Sequence, residues 1–128
     1  MAMITAESDA AAPELAALDA ASCLFRGFGD RSRLAIVQHL LGGEHRVVDL
    51  TRHLGLAQST VSKHLACLVD CAVVEVRPQG RASVYSLAHP AQTLALLRAA
   101  ENLLAVTGDA VTLCPTFGST SDPAMDAR

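Results

Sequence analysis

Residues 54–88 read LGLAQSTVSKHLACLVDCAVVEVRPQGRASVYSLA, and this stretch decides the fold. The part AQSTVSKHLACLVDC, which begins two residues after Gly55, predicts a helix. The segments VVEVR and ASVYSL that follow alternate apolar and other residues around the turn sequence PQGR. This alternation predicts a two-stranded β-hairpin.

The sequence on either side of this stretch predicts further helices. VVDLTRHLG predicts a short helix that ends at Gly55, and a short helix, a turn with glycine and a second helix form the helix-turn-helix arrangement. Two helices are predicted upstream, one from Glu14 to about Phe25 and one over RSRLAIVQHLLGG, which Asp30 can cap. A last helix is predicted over PAQTLALLRAAENLLAVTG, with Pro90 in its first turn.

The order of four helices, a hairpin and a helix predicts a mainly α fold with a small β-hairpin, the winged helix-turn-helix. We expect a flexible N-terminus over residues 1–13, a winged helix-turn-helix domain for DNA binding and dimerisation over residues 14–107, and a C-terminal tail over residues 108–128. The terminal helices are too apolar to stay alone in water. We therefore expect them to pack against a second copy of the chain in a homodimer.

The composition predicts one domain whose core is built from Leu, Val and Ala. The 128 residues are 51% hydrophobic but only 3% aromatic. No run approaches the roughly 18 apolar residues that span a membrane. The N-terminal MAMITAESDAAAPE carries acids and lacks the basic flank of a secretion signal, so we expect a cytoplasmic protein.

The charge is unevenly distributed along the chain. The net charge is −3, but residues 26–81 hold eight bases against five acids, whereas residues 1–25 hold four acids and no base. A basic middle between acidic ends is typical of a surface that faces DNA.

At this point the motifs resemble those of the ArsR/SmtB family of metal-responsive repressors. The match consists of Ser59-x-x-Ser62-x-His64-Leu65-x-x-Leu68, a hairpin with a Gly-Arg turn, and a closing Val-Tyr-x-Leu, while FGDRSRLAIVQHLLGG resembles the second helix of that family. The resemblance covers about residues 15–107. It implies a repressor that binds operator DNA, and not an enzyme.

The predicted second helix of the motif carries the candidate DNA contacts. Gln58, Ser59 and Thr60 open the helix, where side chains reach base edges and phosphates. One turn later come three more polar side chains, those of Ser62, Lys63 and His64. Two arginines, Arg77 and Arg81, flank the hairpin tip and can enter the adjacent minor groove. The alternative is that Ser59 only caps the helix and the arginines are merely solvated.

The cysteines predict a site for a soft metal ion. In a chain of this class the four cysteines are expected to be reduced thiols. Cys67 and Cys71 are four residues apart, so on a helix they share one face at roughly 6 Å. Two thiolates so placed can hold one soft ion, and Cys114 in the tail is the candidate third ligand.

The resemblance points to one sensor type within the family. The arsenic-sensing subgroup has cysteines where this chain has Arg46-Val47-Val48, so that site is absent. The zinc-sensing subgroup uses Asp, His, His and Glu on the last helix, and that site is also absent because the matching positions here are His89, Ala91, Asn102 and Ala105. The CmtR-type cadmium/lead sensors have two cysteines late in the second helix of the helix-turn-helix motif and a third in the tail of the other protomer. Their pattern implies Cys67, Cys71 and Cys114 as ligands of cadmium or lead, with zinc possible as effector. Cys23 is expected to be structural, with an accessory ligand role left open.

The cysteines and the fold allow three other interpretations. Cys67 and Cys71 can instead form a disulfide or persulfide in a redox or sulfur sensor of the same fold, although a helical pair four apart is strained as a disulfide. A thiol hydrolase using a cysteine and His64 lacks an oxyanion hole or Gly-rich pocket. A winged-helix interaction protein that binds no metal is the third alternative.

Overall fold

The computed structural model describes residues 2–114, and it describes side chains from Pro13 onward. Its elements run in the order α1 (Ala2–Phe28), α2 (Arg31–Leu41), β1 (His45–Arg46), α3 (Val47–Leu54), α4 (Gln58–Asp70), β2 (Val74–Gln79), β3 (Ala82–Leu87) and α5 (Pro90–Val106). This order confirms the predicted fold class, mainly α with a small hairpin. The part of the expected tail from residue 115 onward lies outside the described residues.

Local signals place the ends of the central helices. The side chain of Asp30 accepts a hydrogen bond from the main-chain N–H of Arg33 at 3.0 Å, so it caps α2 as predicted. Gly55 ends α3 in the left-handed conformation at φ 70°, which costs glycine little. Helix α4 begins at Gln58, with two residues between it and Gly55, so the turn between the two helices is short.

The sheet has one strand more than the predicted hairpin. Strands β2 and β3 pair antiparallel from Val74 opposite Leu87 to Gln79 opposite Ala82. The additional strand β1 pairs with the other side of β3, where His45 faces Tyr85. A strand of two residues is too short to show alternation, so the sequence pattern did not predict it. Strand β1 ties the connection between α2 and α3 to the hairpin.

The core lies where α2, α3, α4 and the sheet meet. Its fully buried side chains come from the three helices: Ile36, Val37, Leu50, Val61, Leu65 and Leu68. Valines and leucines of the strands and Leu97 of α5 close the same cluster. Because α4 contributes three of the six, burial fixes the rotation of that helix about its own axis.

Helix α1 begins earlier than the periodicity predicted, at Ala2 and not near Glu14. The preceding segment is rich in alanine, the residue with the highest helix propensity, and Pro13 lies inside the helix. On α1 the side chains of Leu18 and Phe25 are 64% and 62% exposed, and on α5 that of Leu103 is 66% exposed. The terminal helices thus carry apolar surface that the described part of the chain does not cover. None of the helices within residues 2–114 combines the length and apolarity required to cross a lipid bilayer.

Three imidazoles form a cluster where α2, β1 and α3 meet. The ring of His39 stacks on that of His53 with centroids 5.0 Å apart, and His45 lies 6.2 Å and 5.8 Å from them. Burial lowers the pKa of His39 below its usual value of 6.5, and the neighbouring His53 and His45 lower it further. The folded chain therefore favours the neutral form of His39.

We expect this cluster to make the fold less stable in mild acid. As the pH falls below about 6.5, the unfolded chain protonates His39 before the folded chain does, so the free energy of unfolding falls until the folded pKa is reached. Replacing His39→Gln should flatten the dependence of that free energy on pH between about 7.5 and 5.5, measured by urea unfolding. His89→Gln at the exposed N-cap of α5 is the control. Equal pH slopes in the wild type and His39→Gln would contradict the prediction.

Candidate functional site

Helix α4 presents a polar face to solvent opposite its buried face. Gln58, Ser59, Ser62 and Lys63 are exposed, and Thr60 is partly buried. The N-cap of α4 is Ala57, which makes no side-chain hydrogen bond, so Ser59 is not the helix cap. The opening turn of α4 therefore leaves its main-chain N–H groups and these side chains available to an outside ligand.

His64 lies on a different side of α4 from these residues, toward α2. Its side chain is only 18% exposed, with Nδ1 3.2 Å from Nη1 of Arg33 and Nε2 3.7 Å from a carboxylate oxygen of Asp30. Arg33 also donates to the main-chain oxygens of Gly27 and Arg26, at 3.1 and 2.8 Å. The structure thus engages His64, which was expected among the DNA contacts, in a network that joins α1, α2 and α4. The main-chain N–H of Arg33 holds the pKa of Asp30 below its usual value, so this carboxylate stays charged.

The two hairpin arginines differ in their partners. Nη2 of Arg77 lies 2.7 Å from both carboxylate oxygens of Glu44, which precedes β1, and this ion pair is about half exposed. Arg81 follows Gly80 at the tip and is exposed, and it makes no ion pair within the described residues. Arg81 and Gln58 line the same cleft of about 310 Å³, whose other walls are the start of α3 and strand β3. The structure therefore brings the start of α4 and the hairpin tip together, whereas it directs Arg77 to Glu44.

The structure brings Cys71 together with Cys23 rather than with Cys67. Cys71 is the C-cap of α4, and its Sγ contacts the Sγ of Cys23 in α1 as a disulfide pair, with the two Cα atoms 5.5 Å apart. The expectation that all four cysteines are free thiols is wrong for this pair. The spacing rule for one helix identifies only neighbours on that helix, and no signal in the sequence indicated a partner 48 residues away. Because Cys71 is paired with Cys23, the structure does not favour the redox alternative, which requires a pair formed by Cys67 and Cys71.

The surroundings of this sulfur pair combine a cation and close helix packing. Nη2 of Arg26 lies 3.6 Å from the Sγ of Cys23 and 4.0 Å from the Sγ of Cys71. Gly27 is buried, and a Cβ built on it would lie 3.5 Å from Leu68 and 3.9 Å from the Sγ of Cys71. These are ordinary van der Waals distances, so α1 packs directly against the end of α4 at Gly27.

The other two cysteines are partly buried free thiols. The tail that carries Cys114 is fixed to its own chain, because a carboxylate oxygen of Glu101 accepts hydrogen bonds from the N–H of Leu113 at 2.6 Å and of Cys114 at 2.8 Å. Gln38 donates to the main-chain oxygen of Leu113 at 2.5 Å. Burial and the nearby Glu101 raise the pKa of the Cys114 thiol, which keeps it protonated at neutral pH.

The structure of one chain does not assemble the expected three-sulfur site. Within residues 2–114, no group of three or more His, Cys, Asp or Glu side chains is arranged to hold a metal ion. An ion held by Cys67 and Cys71 therefore needs a third ligand from a rearranged side chain or from a second chain. Cysteine thiolates, once the pair is reduced, fit a soft ion and not magnesium or calcium.

Comparison with known proteins places the chain in a family. The model of the bacterial regulatory protein arsR family matches residues 30–76. The chain is 39% identical over 72 residues to the probable mercury resistance operon repressor of Streptomyces lividans, covering 56% of this chain and 58% of that protein. It is 38% identical over 86 residues to the HTH-type transcriptional regulator CmtR of Mycobacterium tuberculosis, covering 67% of this chain and 73% of that regulator.

Two solved structures agree in fold. The NMR structure of the cadmium metal-sensor CMTR from Mycobacterium tuberculosis aligns with a TM-score of 0.51 at 38% identity, over 59% of this chain and 80% of that one. The homodimeric winged helix-turn-helix DNA-binding domain of a possible ArsR-family regulator from Mycobacterium bovis aligns with a TM-score of 0.64 at 26% identity, over 70% and 84% of the two chains. The chain thus spans less than two thirds of the Streptomyces repressor but nearly three quarters of CmtR. On this evidence the chain belongs to the arsR family of bacterial regulatory proteins.

Proposed function

We propose that this chain is a dimeric transcriptional repressor that binds operator DNA when free of metal and releases it on binding a thiophilic ion, cadmium or lead. One observation carries the proposal. The two ends of α4 hold different chemistry: exposed polar side chains beside Arg81 at the start, and sulfur atoms at the end. A helix built in this way can respond to a nucleic acid and to a soft ion at once.

The exposed polar side chains at the start of α4, and the fit of a helix into the major groove, support the proposed DNA binding. The opening turn of α4 offers Gln58, Ser59 and Thr60 to base edges and phosphates, with Ser62 and Lys63 one turn later. A helix fits the major groove, and Arg81 at the hairpin tip is free to reach the adjacent minor groove. Arg77 would have to leave Glu44 to do the same, and His64 positions α4 more than it contacts DNA.

The homodimer rests on the terminal helices. The uncovered leucines and phenylalanine of α1 and α5 offer the apolar area that a second copy would bury, and the structural neighbour from Mycobacterium bovis is described as homodimeric. Two copies related by a two-fold axis would set their α4 helices in successive major grooves, about 34 Å apart, on an inverted repeat.

The metal part rests on the sulfur donors and on the relatives. Cys67 and Cys71 would bind the ion together with Cys114 of a second chain, with zinc a further candidate effector. The sulfur donors fit the two relatives described as a mercury resistance repressor and a cadmium sensor. A tail that leaves Glu101 to supply Cys114 would change the position of the C-terminal end of α4, and with it the pose of the opening turn. DNA and metal would then favour different states of the dimer, which is sufficient for coupling.

Replacing Arg81→Ala should weaken operator binding by about tenfold, because one charge contact to the DNA is lost. The dependence of affinity on salt should become shallower, measured by fluorescence anisotropy at several salt concentrations. Arg98→Ala removes an exposed arginine of α5 that lies beside Glu101 and Cys114, and as the matched control it should leave the operator affinity of the metal-free protein unchanged. Equal affinities of the Arg81→Ala variant and the wild type would contradict a DNA contact at the hairpin tip.

Cadmium added to the reduced dimer should produce an ultraviolet sulfur-to-metal charge-transfer band, which Cys67→Ser or Cys71→Ser abolishes. Cys114→Ser should weaken cadmium binding but leave the affinity of the metal-free dimer for operator DNA intact. Full retention of the band in both Cys67→Ser and Cys71→Ser would show that the ion is held elsewhere. A collapse of operator binding in Cys114→Ser would show that Cys114 is structural.

The pH dependence of cadmium affinity follows from the raised pKa of Cys114. Because this thiol is protonated at neutral pH, the ion must displace its proton, so affinity should increase as the pH rises toward that pKa. In Cys114→Ser this part of the pH dependence should disappear. Competition titrations with a chelator of known affinity at several pH values measure it, and an unchanged pH slope in the variant would contradict the role of Cys114.

A further inference from the structure

We propose that Cys23 is a ligand of the same ion as Cys71, so that the metal site joins α1 to the C-terminal end of α4. This inference rests on the proposed function, and it adds a ligand from a helix that the sequence pattern did not associate with the site. It follows from the position of the two sulfurs, which the fold brings into contact from different elements.

The backbone is already placed for shared coordination. Two zinc–sulfur bonds of about 2.3 Å at a tetrahedral angle place the sulfurs roughly 3.8 Å apart. The Cα atoms of Cys23 and Cys71 are 5.5 Å apart, so rotation of the side chains is sufficient to open this separation without moving either helix. Cys67 lies one turn back on α4 and, like Cys23 and Cys71, is partly buried.

The charge around the pair favours two sulfurs that have lost their protons. The guanidinium of Arg26 lies within 4.0 Å of both sulfur atoms, and it offsets the negative charge of a thiolate. With Cys23 added, a divalent ion with four thiolates carries two net negative charges, and the same guanidinium offsets one of them. Gly27 of α1 packs beside Leu68 and Cys71, so this part of α1 lies against the end of α4.

The chemistry requires the pair to be reduced first. Two thiols of a reductant convert the disulfide to two cysteine thiols and are themselves joined as a disulfide. The ion then displaces one proton from each cysteine and forms two sulfur–metal bonds, with no further change in oxidation state. An oxidised pair therefore binds no ion, and reduction is the condition of the test.

A ligand on α1 would change what the ion restrains. Helix α1 also carries Leu18 and Phe25 on the surface assigned to the dimer contact. Coordination by Cys23 and Cys71 would fasten the end of α4 to this helix. The ion would therefore limit how far α4 moves relative to the proposed dimer contact on α1 and α5.

The test uses the full chain, reduced and kept anaerobic, titrated with cadmium chloride. In Cys23→Ser we expect about tenfold or greater loss of cadmium affinity and a lower charge-transfer absorbance at saturation, because one thiolate is lost. Ser22→Ala, the adjacent exposed position on α1, is the control and should behave as the wild type.

A second measurement keeps the proposal falsifiable if Cys23→Ser folds poorly. Cadmium should slow the alkylation of Cys23 in the wild type to the same extent as that of Cys71, measured by peptide mass spectrometry. If Cys23→Ser keeps wild-type affinity and absorbance, and cadmium leaves the alkylation of Cys23 unchanged, the inference is overturned while the proposed function stands. If the reduced wild type binds no cadmium, both are wrong.

Discussion

The rest of the structure depends on the burial of one face of α4. Val61, Leu65 and Leu68 are fully buried against α2 and α3, and together they leave α4 one stable rotation about its axis. That rotation turns Ser62 and Lys63 to solvent. The same packing places Cys71, at the C-terminal end of the helix, against α1. The exposed polar face of α4 and the position of the sulfur pair are therefore consequences of the same apolar contact, and a change in this contact would disturb both.

The sequence predicted the elements whose limits are set by local chemistry. Asp30 caps α2, Gly55 ends α3 and the turn at Gly80 joins the two long strands, as their residue types indicated. Strand β1 escaped prediction because it is two residues long and exists only through its pairing with β3. The early start of α1 escaped because its apolar residues lack a clear period there, while alanine propensity alone extends the helix.

The candidate site was predicted less completely, and the reason is distance along the chain. Periodicity and motif spacing are sufficient to place Ser59 and Lys63 on the outer face of a helix. They cannot show that His64 is engaged by Arg33 on another helix, or that Cys71 meets a cysteine 48 residues earlier. Cys71 also lies just beyond the last helical residue, where the rule for residues four apart no longer fixes the direction of the side chain.

The separation of the two chemistries on α4 has a thermodynamic consequence. A helix of 13 residues is about 20 Å long and moves as a rigid rod, so a displacement of its C-terminal end also displaces its opening turn. Suppose that an ion at the sulfur end stabilises a position of α4 in which the operator binds less tightly. Bound operator then reduces the binding free energy of the ion by the same amount by which bound ion reduces that of the operator. In the proposed repressor, the dimer on DNA would therefore bind the ion more weakly than the free dimer, by the same factor by which the ion weakens DNA binding. This reciprocity needs no contact between the two ligands, because α4 moves as a rigid unit and transmits a displacement from one end to the other.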